Sequence, residues 1–298
     1  MFRNFDELME NICNIKEKKI IAVAAAADDE VLKCAVEAKN KGIAQFVLIG
    51  NQLKIEEILK GLGEDISQWY IVDELDDKKA ANKAVELVAE GEADILMKGL
   101  LHTSTFLRAL FNKEYGLVAP KTLVSQITVT EYPTENRMIL ITDNAINITP
   151  GYTEKVSIIN NAVSLAHKMG NKCPKVACLA AVEVVNENMP ETIDAAMLAK
   201  ASDRGQIKDC VVDGPFALDN AISVEAAKTK NIKGEVAGQA DILLVPNLAT
   251  GNVLDKSLRY FGQLKTGSAV VGAKVPVIVT SRSDTAEGKL HSIALSVL

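Results

Sequence analysis

Residues 20–50 read IIAVAAAADDEVLKCAVEAKNKGIAQFVLIG, and this stretch decides the fold. The runs 20–26 and 46–50 are short, continuous and apolar, as strands covered on both faces are. Between them, 29–42 has helical spacing, with Val31, Cys34, Ala35 and Ala38 on one face. Asp28 is placed to cap that helix, and Gly42 to end it. Strand, helix and strand within these 31 residues make a parallel unit with a crossover helix.

The same beat continues outward. Strands are expected at 69–72, 94–97, 122–129, 137–142, 176–180, 210–213, 242–245 and 275–280. Helices are expected at 78–89, 153–169, 191–202, 219–228, 252–265 and 286–297. Repeated alternation predicts parallel strands with helices on both faces. Runs 122–129 and 137–142 differ, because a short turn containing Pro133 joins them and a hairpin results. The pattern changes near 115–120, which suggests a domain boundary there.

The chain has 298 residues, 48% hydrophobic and 24% charged, enough for a sizeable core and too balanced for disorder. A net charge of −6 argues against nucleic acid as a partner. A small anionic substrate needs only a few local cations. The N-terminal residues Phe2, Phe5, Leu8, Met9 and Ile12 recur at helical spacing, without the uninterrupted apolar run of a secretory signal. No run is long enough to span a membrane. The odd number of cysteines, five, fits a reducing cytoplasm. Three histidines without CxxC or HExxH leave no transition-metal motif, so no metal is expected.

Ligands of α/β sheets bind beyond the carboxyl ends of strands, and three such stretches carry polar residues. The first, 98–108, offers Lys98, a Gly99 that would let backbone approach a ligand, and His102. Thr103 or Ser104 would cap a helix that carries Arg108 about one turn in. The second, 246–252, offers Asn247, Thr250, Gly251 and Asn252, running into a helix with Lys256. The third, 280–287, offers Ser281 and Arg282, a pair suited to a phosphoryl oxygen. In it Asp284 and Glu287 stand at capping-box spacing and are also candidate bases. By spacing alone, the first two stretches read more readily as plain turns, the first with a surface arginine. The cysteines and His167 and His291 read as structural.

Together MKGLLHTSTFLRAL (97–110), VVDGPFALDNAIS (211–223), AGQADILLVPNLATGNVLDKSL (237–258) and VPVIVTSRSDTAEGKLHSIALSVL (275–298) resemble the phosphate acetyl/butyryltransferase family. The likeness runs across nearly the whole chain. The ADDEVL after the first strand and the SRSDTAE near the end look more like the butyryl branch. The resemblance implies two α/β/α domains with a mostly parallel sheet and an interdomain cleft, similar to isocitrate and isopropylmalate dehydrogenases. The domains would be 1–120 plus 270–298, and 121–269. It implies direct transfer of a short acyl group, butyryl by preference, between coenzyme A and inorganic phosphate in a ternary complex. Acyl-CoA and phosphate would be the partners of a cytoplasmic homo-oligomer, dimer or larger. Coenzyme A would be a substrate, and no cofactor is held tightly.

By the same resemblance Ser281 and Arg282 are catalytic, with Asp284 and Glu287 as candidate bases. Arg108, Lys98, Gly99, His102, Thr103 and Ser104 would meet phosphate or substrate. Asn247, Thr250, Gly251, Asn252 and Lys256 would meet coenzyme A. The acetyl branch has an acid seven residues after its serine; here Gly288 stands there. A further arginine of that branch lies in a segment this chain lacks. Rival readings are a phosphate acetyltransferase, a non-catalytic acyl-CoA sensor, and a metal-dependent decarboxylating dehydrogenase. The last needs an aspartate cluster and a nucleotide loop, and the sequence offers neither.

Overall fold

A computed structural model describes residues 1–281 and 284–298. The chain divides into two compact units. An N-terminal unit holds Phe5–Thr122 and Gly267–Leu298, and a central unit holds Leu123–Thr266 with Met1–Asn4.

The N-terminal unit opens with α1 (Phe5–Cys13), β1 (Lys19–Ala24), α2 (Asp29–Asn40), β2 (Ala44–Gly50) and α3 (Gln52–Gly61). It continues with β3 (Tyr70–Asp73), α4 (Asp77–Ala89), β4 (Ile95–Lys98) and α5 (Thr103–Leu110). The central unit runs β5 (Ser125–Tyr132), β6 (Arg137–Thr142), α6 (Tyr152–Lys168), β7 (Lys175–Leu179) and α7 (Pro190–Asp203). Then come β8 (Val211–Phe216), α8 (Leu218–Ile222), α9 (Val224–Thr229), β9 (Ile242–Leu244) and α10 (Leu248–Tyr260). The chain returns to the first unit with β10 (Thr266–Val271), β11 (Val277–Ile278) and α11 (Ala286–Val297).

In the N-terminal unit the strand order is β3-β2-β1-β4-β11-β10. All pairings there are parallel except β10 with β11. The opening βαβ unit forms as its sequence predicts. Asp28 accepts from the Val31 amide at 3.0 Å to start α2. Gly42, at φ +67°, turns the chain out of it. Val31, Cys34, Ala35 and Ala38 are buried.

In the central unit the order is β5-β6-β9-β7-β8, parallel apart from the β5–β6 hairpin. That hairpin pairs Ile127 with Thr142, and its first strand begins at Ser125, three residues later than expected. Asn136, left-handed at φ +49°, closes its turn. Ile139, Ile141, Ala177, Leu179, Phe216 and Leu243 form one buried cluster of this unit.

Three local expectations change. Helix 219–228 is two short helices, because Ser223 leaves the helical conformation and caps α9. Helix 252–265 begins at Leu248, because Asn247 caps it. Helix α3 and strand β10 went unpredicted.

Candidate active site

In the N-terminal unit β4 lies between β1 and β11, all three parallel, so their carboxyl ends share one edge of the sheet. Lys98 ends β4 and is buried at 4% exposure. Its ammonium donates to the carbonyls of Gly99 at 3.1 Å and Leu101 at 3.3 Å. A charge out of water demands such partners.

Gly99 is needed by the protein's own backbone. Its N–H donates to the Ala24 carbonyl at 2.8 Å, and the Leu100 N–H to that of Ala25 at 2.8 Å. A β-carbon on Gly99 would stand 2.7 Å from the Ala24 oxygen. Ala25 itself is held left-handed at φ +55°. The close approach expected toward a ligand is thus made to the end of β1.

Thr103 and Ser104 are not the cap of α5. They are its first two helical residues, both exposed. His102 holds the cap position with extended backbone and no side-chain cap bond. The first N–H groups of α5 are therefore free of a side-chain cap, a setting that favours an anion. Arg108 lies in the last turn, the sixth of eight helical residues, and is exposed. It stands about 7.5 Å along the axis from Thr103, further than the one turn expected.

After β11 the Ser281 N–H donates to the Asp284 carboxylate at 2.8 Å, and the Asp284 N–H returns a bond to the Ser281 carbonyl at 3.1 Å. Asp284 thereby shapes the turn that presents Ser281. The capping box of Asp284 with Glu287 does not form. Thr285 caps α11 instead, accepting from the Gly288 N–H at 3.0 Å. Glu287 is exposed in the first turn, 3.9 Å from His291 Nε2. Arg282 lies outside the described residues.

Sequence reasoning missed Lys289. It is 3% exposed, and its ammonium donates to the Asp284 carbonyl at 2.5 Å, under the serine turn. A lysine among the apolar residues of GKLHSIALSV was the available signal.

The central unit has its own edge at the ends of β6, β9 and β7. Asn247 accepts from the Thr250 N–H at 3.0 Å and the Thr250 hydroxyl at 3.1 Å. Thr250 and Gly251, expected in a loop, and Asn252, expected to start the helix, therefore all lie inside α10. Gly251 is set by packing, since a β-carbon there would fall 2.8 Å from Asn144 Cα. Lys256 is exposed on the same helix.

The loop after β6 was also missed. The Asp143 carboxylate accepts from the amides of Ala145 at 3.0 Å, Ile146 at 3.2 Å and Asn147 at 3.0 Å. Asn144 is 1% exposed and donates to the Thr128 hydroxyl at 2.8 Å. Its Oδ1 has no hydrogen-bond partner. The Leu248 N–H donates to the Ile148 carbonyl at 3.0 Å, which ties this loop to α10. The strand-end rule applied to DNAIN after 137–142 would have found it.

Among the described residues no group of His, Cys, Asp and Glu is arranged to hold a metal. None of their helices is long and apolar enough to cross a membrane.

The model of the phosphate acetyl/butaryl transferase family matches residues 5–83 and 77–297. The chain belongs to this family. It is 50% identical over 298 residues to the phosphate butyryltransferase of Clostridium beijerinckii, covering 100% of this chain and 98% of that one. It superposes on the branched-chain phosphotransacylase of Enterococcus faecalis with a TM-score of 0.84 at 34% identity, covering 93% and 97% of the two chains. A 4-hydroxythreonine-4-phosphate dehydrogenase from Klebsiella pneumoniae matches with a TM-score of 0.58 at 14% identity, over 94% of this chain and 98% of that one. That likeness is one of fold alone, and it puts the phosphate acyltransferase family's α/β fold beside a dehydrogenase fold. The protein is therefore an enzyme of the phosphate acyltransferase type, as its motifs imply.

Proposed function

We propose that the enzyme moves a butyryl group between coenzyme A and inorganic phosphate by direct transfer in a ternary complex. The observation that carries the chemistry is the pair of buried ammonium groups, Lys98 and Lys289, behind the loop after β4 and the Ser281 turn. With the uncapped start of α5 they make this edge electropositive, as a phosphate requires. The choice of butyryl rests on the full-length identity to a phosphate butyryltransferase.

In the direction of acyl phosphate synthesis, a phosphate oxygen attacks the thioester carbonyl, an oxyanion forms, and the thiolate leaves. Ser281 donates to a phosphate or carbonyl oxygen, and Arg282 neutralises the phosphate and holds it in line. Thr103 and Ser104 add hydroxyl donors from α5, beside His102, and Arg108 draws the anion toward the edge from a distance. In reverse the thiol loses a proton as it attacks. Asp284 is engaged in shaping the serine turn, so we assign that proton to Glu287. Coenzyme A is a substrate, bound at the central unit's edge by Asn247, Thr250, Asn252 and Lys256, with Gly251 fixing their helix. Most of the acceleration comes from orientation and oxyanion stabilisation, with no covalent enzyme intermediate.

We take the two compact units as the domains. The five free cysteines suit a cytoplasmic protein. The exposed rings of Tyr260 and Phe261 suit a homo-oligomer, which light scattering would test.

The deciding assay follows thiol release from acetyl-, propionyl- and butyryl-CoA with phosphate. Phosphate-dependent release fastest with butyryl-CoA is expected. No phosphate-dependent release from any thioester would sink the proposal.

A further inference from the structure

The loop after β7, residues 180–189, carries Val184 at 67% exposure and Val185 at 59%. Scattered exposed valines are ordinary, but this pair is held from both sides. Before it, the Glu183 carboxylate accepts from Asn220 Nδ2 at 2.6 Å and from the Lys230 ammonium at 2.5 Å. Asn220 is fully buried. The Lys230 ammonium beside Glu183 keeps its carboxyl below the ordinary range. After the pair, the Asn186 N–H donates to the Thr192 hydroxyl at 2.9 Å, and that hydroxyl's proton lies within reach of the Met189 carbonyl at 2.7 Å and the Asn186 carbonyl at 3.0 Å. Thr192 is fully buried too. Fixing a loop costs conformational entropy, and here it presents two aliphatic side chains to the outside.

The position is informative. Strand β9 lies between β6 and β7, all parallel, so the ends of β6 and β7 stand about 10 Å apart on one edge. The loop after β6 presents Ile148, 75% exposed, with its carbonyl tied to Leu248. Two strand ends flanking Asn247 thus both offer exposed β-branched side chains at the edge where ligands of such sheets bind.

We propose that Val184 and Val185, with Ile148, form the apolar wall on which the acyl chain of the substrate lies, and so set acyl-chain length. This rests on the reading of the protein as a phosphate acyltransferase. The adenosine, diphosphate and pantetheine parts of an acyl-CoA are all polar and call for polar partners. The alkyl chain is its one part without a polar atom, and these side chains offer it none. Relatives differ in this part: one is a phosphate acetyltransferase from Thermotoga maritima, another a branched-chain phosphotransacylase. Binding of one or two added methylenes supplies discrimination of about ten- to a hundredfold.

The test is the double variant Val184→Thr, Val185→Thr, which keeps side-chain shape at exposed positions. kcat/KM is measured with acetyl-, propionyl- and butyryl-CoA, and subunit number by light scattering. The butyryl-to-acetyl ratio is expected to fall about tenfold, the loss growing with chain length. An unchanged ratio would overturn the wall, in any of three forms: activity intact, an equal loss on all three thioesters, or a changed subunit number. The second would move the pair to the pantetheine arm and the third to a contact between copies. If the wild-type protein transferred no acyl group to phosphate, the parent reading would fail first and this one with it.

Discussion

The two strand-end edges pair their buried ammonium groups differently. At the N-terminal unit's edge buried ammonium groups rest on backbone carbonyls, Lys98 on Gly99 and Leu101 and Lys289 on Asp284. The amides of Gly99 and Leu100 bond Ala24 and Ala25, and Asp284 and Thr285 add side-chain bonds to the Ser281 and Gly288 amides. At the central unit's edge the holding groups are mostly short side chains: Asp143 gathers three loop amides, Asn144 bonds Thr128, and Asn247 caps α10. The buried ammonium there, that of Lys155, is paired with the Asp194 carboxylate at 2.5 Å. Positive charge buried behind a turn suits a phosphate. A buried ammonium matched by a carboxylate, with side-chain amides beside exposed aliphatics, suits an uncharged arm and chain. The proposed division of labour, phosphate at one edge and coenzyme A at the other, means that each edge can be broken separately.

The largest break should come at the charged edge. Arg282→Ala should lower turnover 100-fold or more, on the order of what one charge-assisted contact in a transition state supplies. Stability should hardly change. Steady-state kinetics on a variant with an unaltered melting curve would check it. Near-wild-type turnover would remove the serine–arginine pair from the chemistry.

Next is Gly99→Ala. A β-carbon 2.7 Å from the Ala24 oxygen must push β1 and β4 apart at their ends. The expected loss is about 2 kcal/mol in denaturant unfolding, typical of forced overpacking. Activity should fall too, because Lys98 and its loop move. A variant of unaltered stability would mean that this edge yields easily, and that its rigidity is no part of the contrast.

Much of the fold could be read beforehand because parallel strands covered on both faces declare themselves as apolar runs. The opening unit and strand 137–142 are examples. Strand β10, TGSAVV, hides its period behind small residues, and α3 reads as surface with only Ile55 and Leu59 buried. At the site, residue types were legible but their tasks were not. Gly99 and Gly251 looked like openings for a ligand, yet each admits the chain's own backbone, a contact between segments far apart in sequence. Lys98 was visible as a lysine after a strand, while its burial depends on three strands assembling. Lys289 sat inside an apolar helix and passed as part of it.

Asn247→Ala probes the central unit's edge. Losing an N-cap side chain costs about 1 kcal/mol. Because α10 also carries Asn252 and Lys256, the KM for coenzyme A should rise by about threefold to tenfold, with the KM for phosphate little changed. Initial rates with each substrate varied in turn give both constants. A larger effect on phosphate than on coenzyme A would reverse the assignment of the two edges.

The smallest effect should come from the cysteines, and here the rival is a mechanism in which a thiol carries the acyl group as a covalent intermediate. Burial pushes the thiols of Cys34 and Cys178 up to about 12 and that of Cys210 up to about 11. At neutral pH a thiol at about 12 is ionised about once in 10⁵ molecules, far too seldom for a nucleophile. Cys13 and Cys173 are exposed but stand at the wrong edges. Cys13 donates to the Lys41 carbonyl just past the end of α2, and Cys173 precedes β7, so both lie toward the amino ends of their units' strands. Ligands of such sheets gather at the carboxyl ends. Each single Cys→Ala variant should therefore keep turnover within about twofold, with about 1 kcal/mol of stability lost where the sulfur is buried. Double-reciprocal plots should intersect, as direct transfer between two bound substrates requires. Parallel lines, or an acyl group found on any cysteine by mass spectrometry, would give the chemistry to a thiol and leave both edges with binding alone.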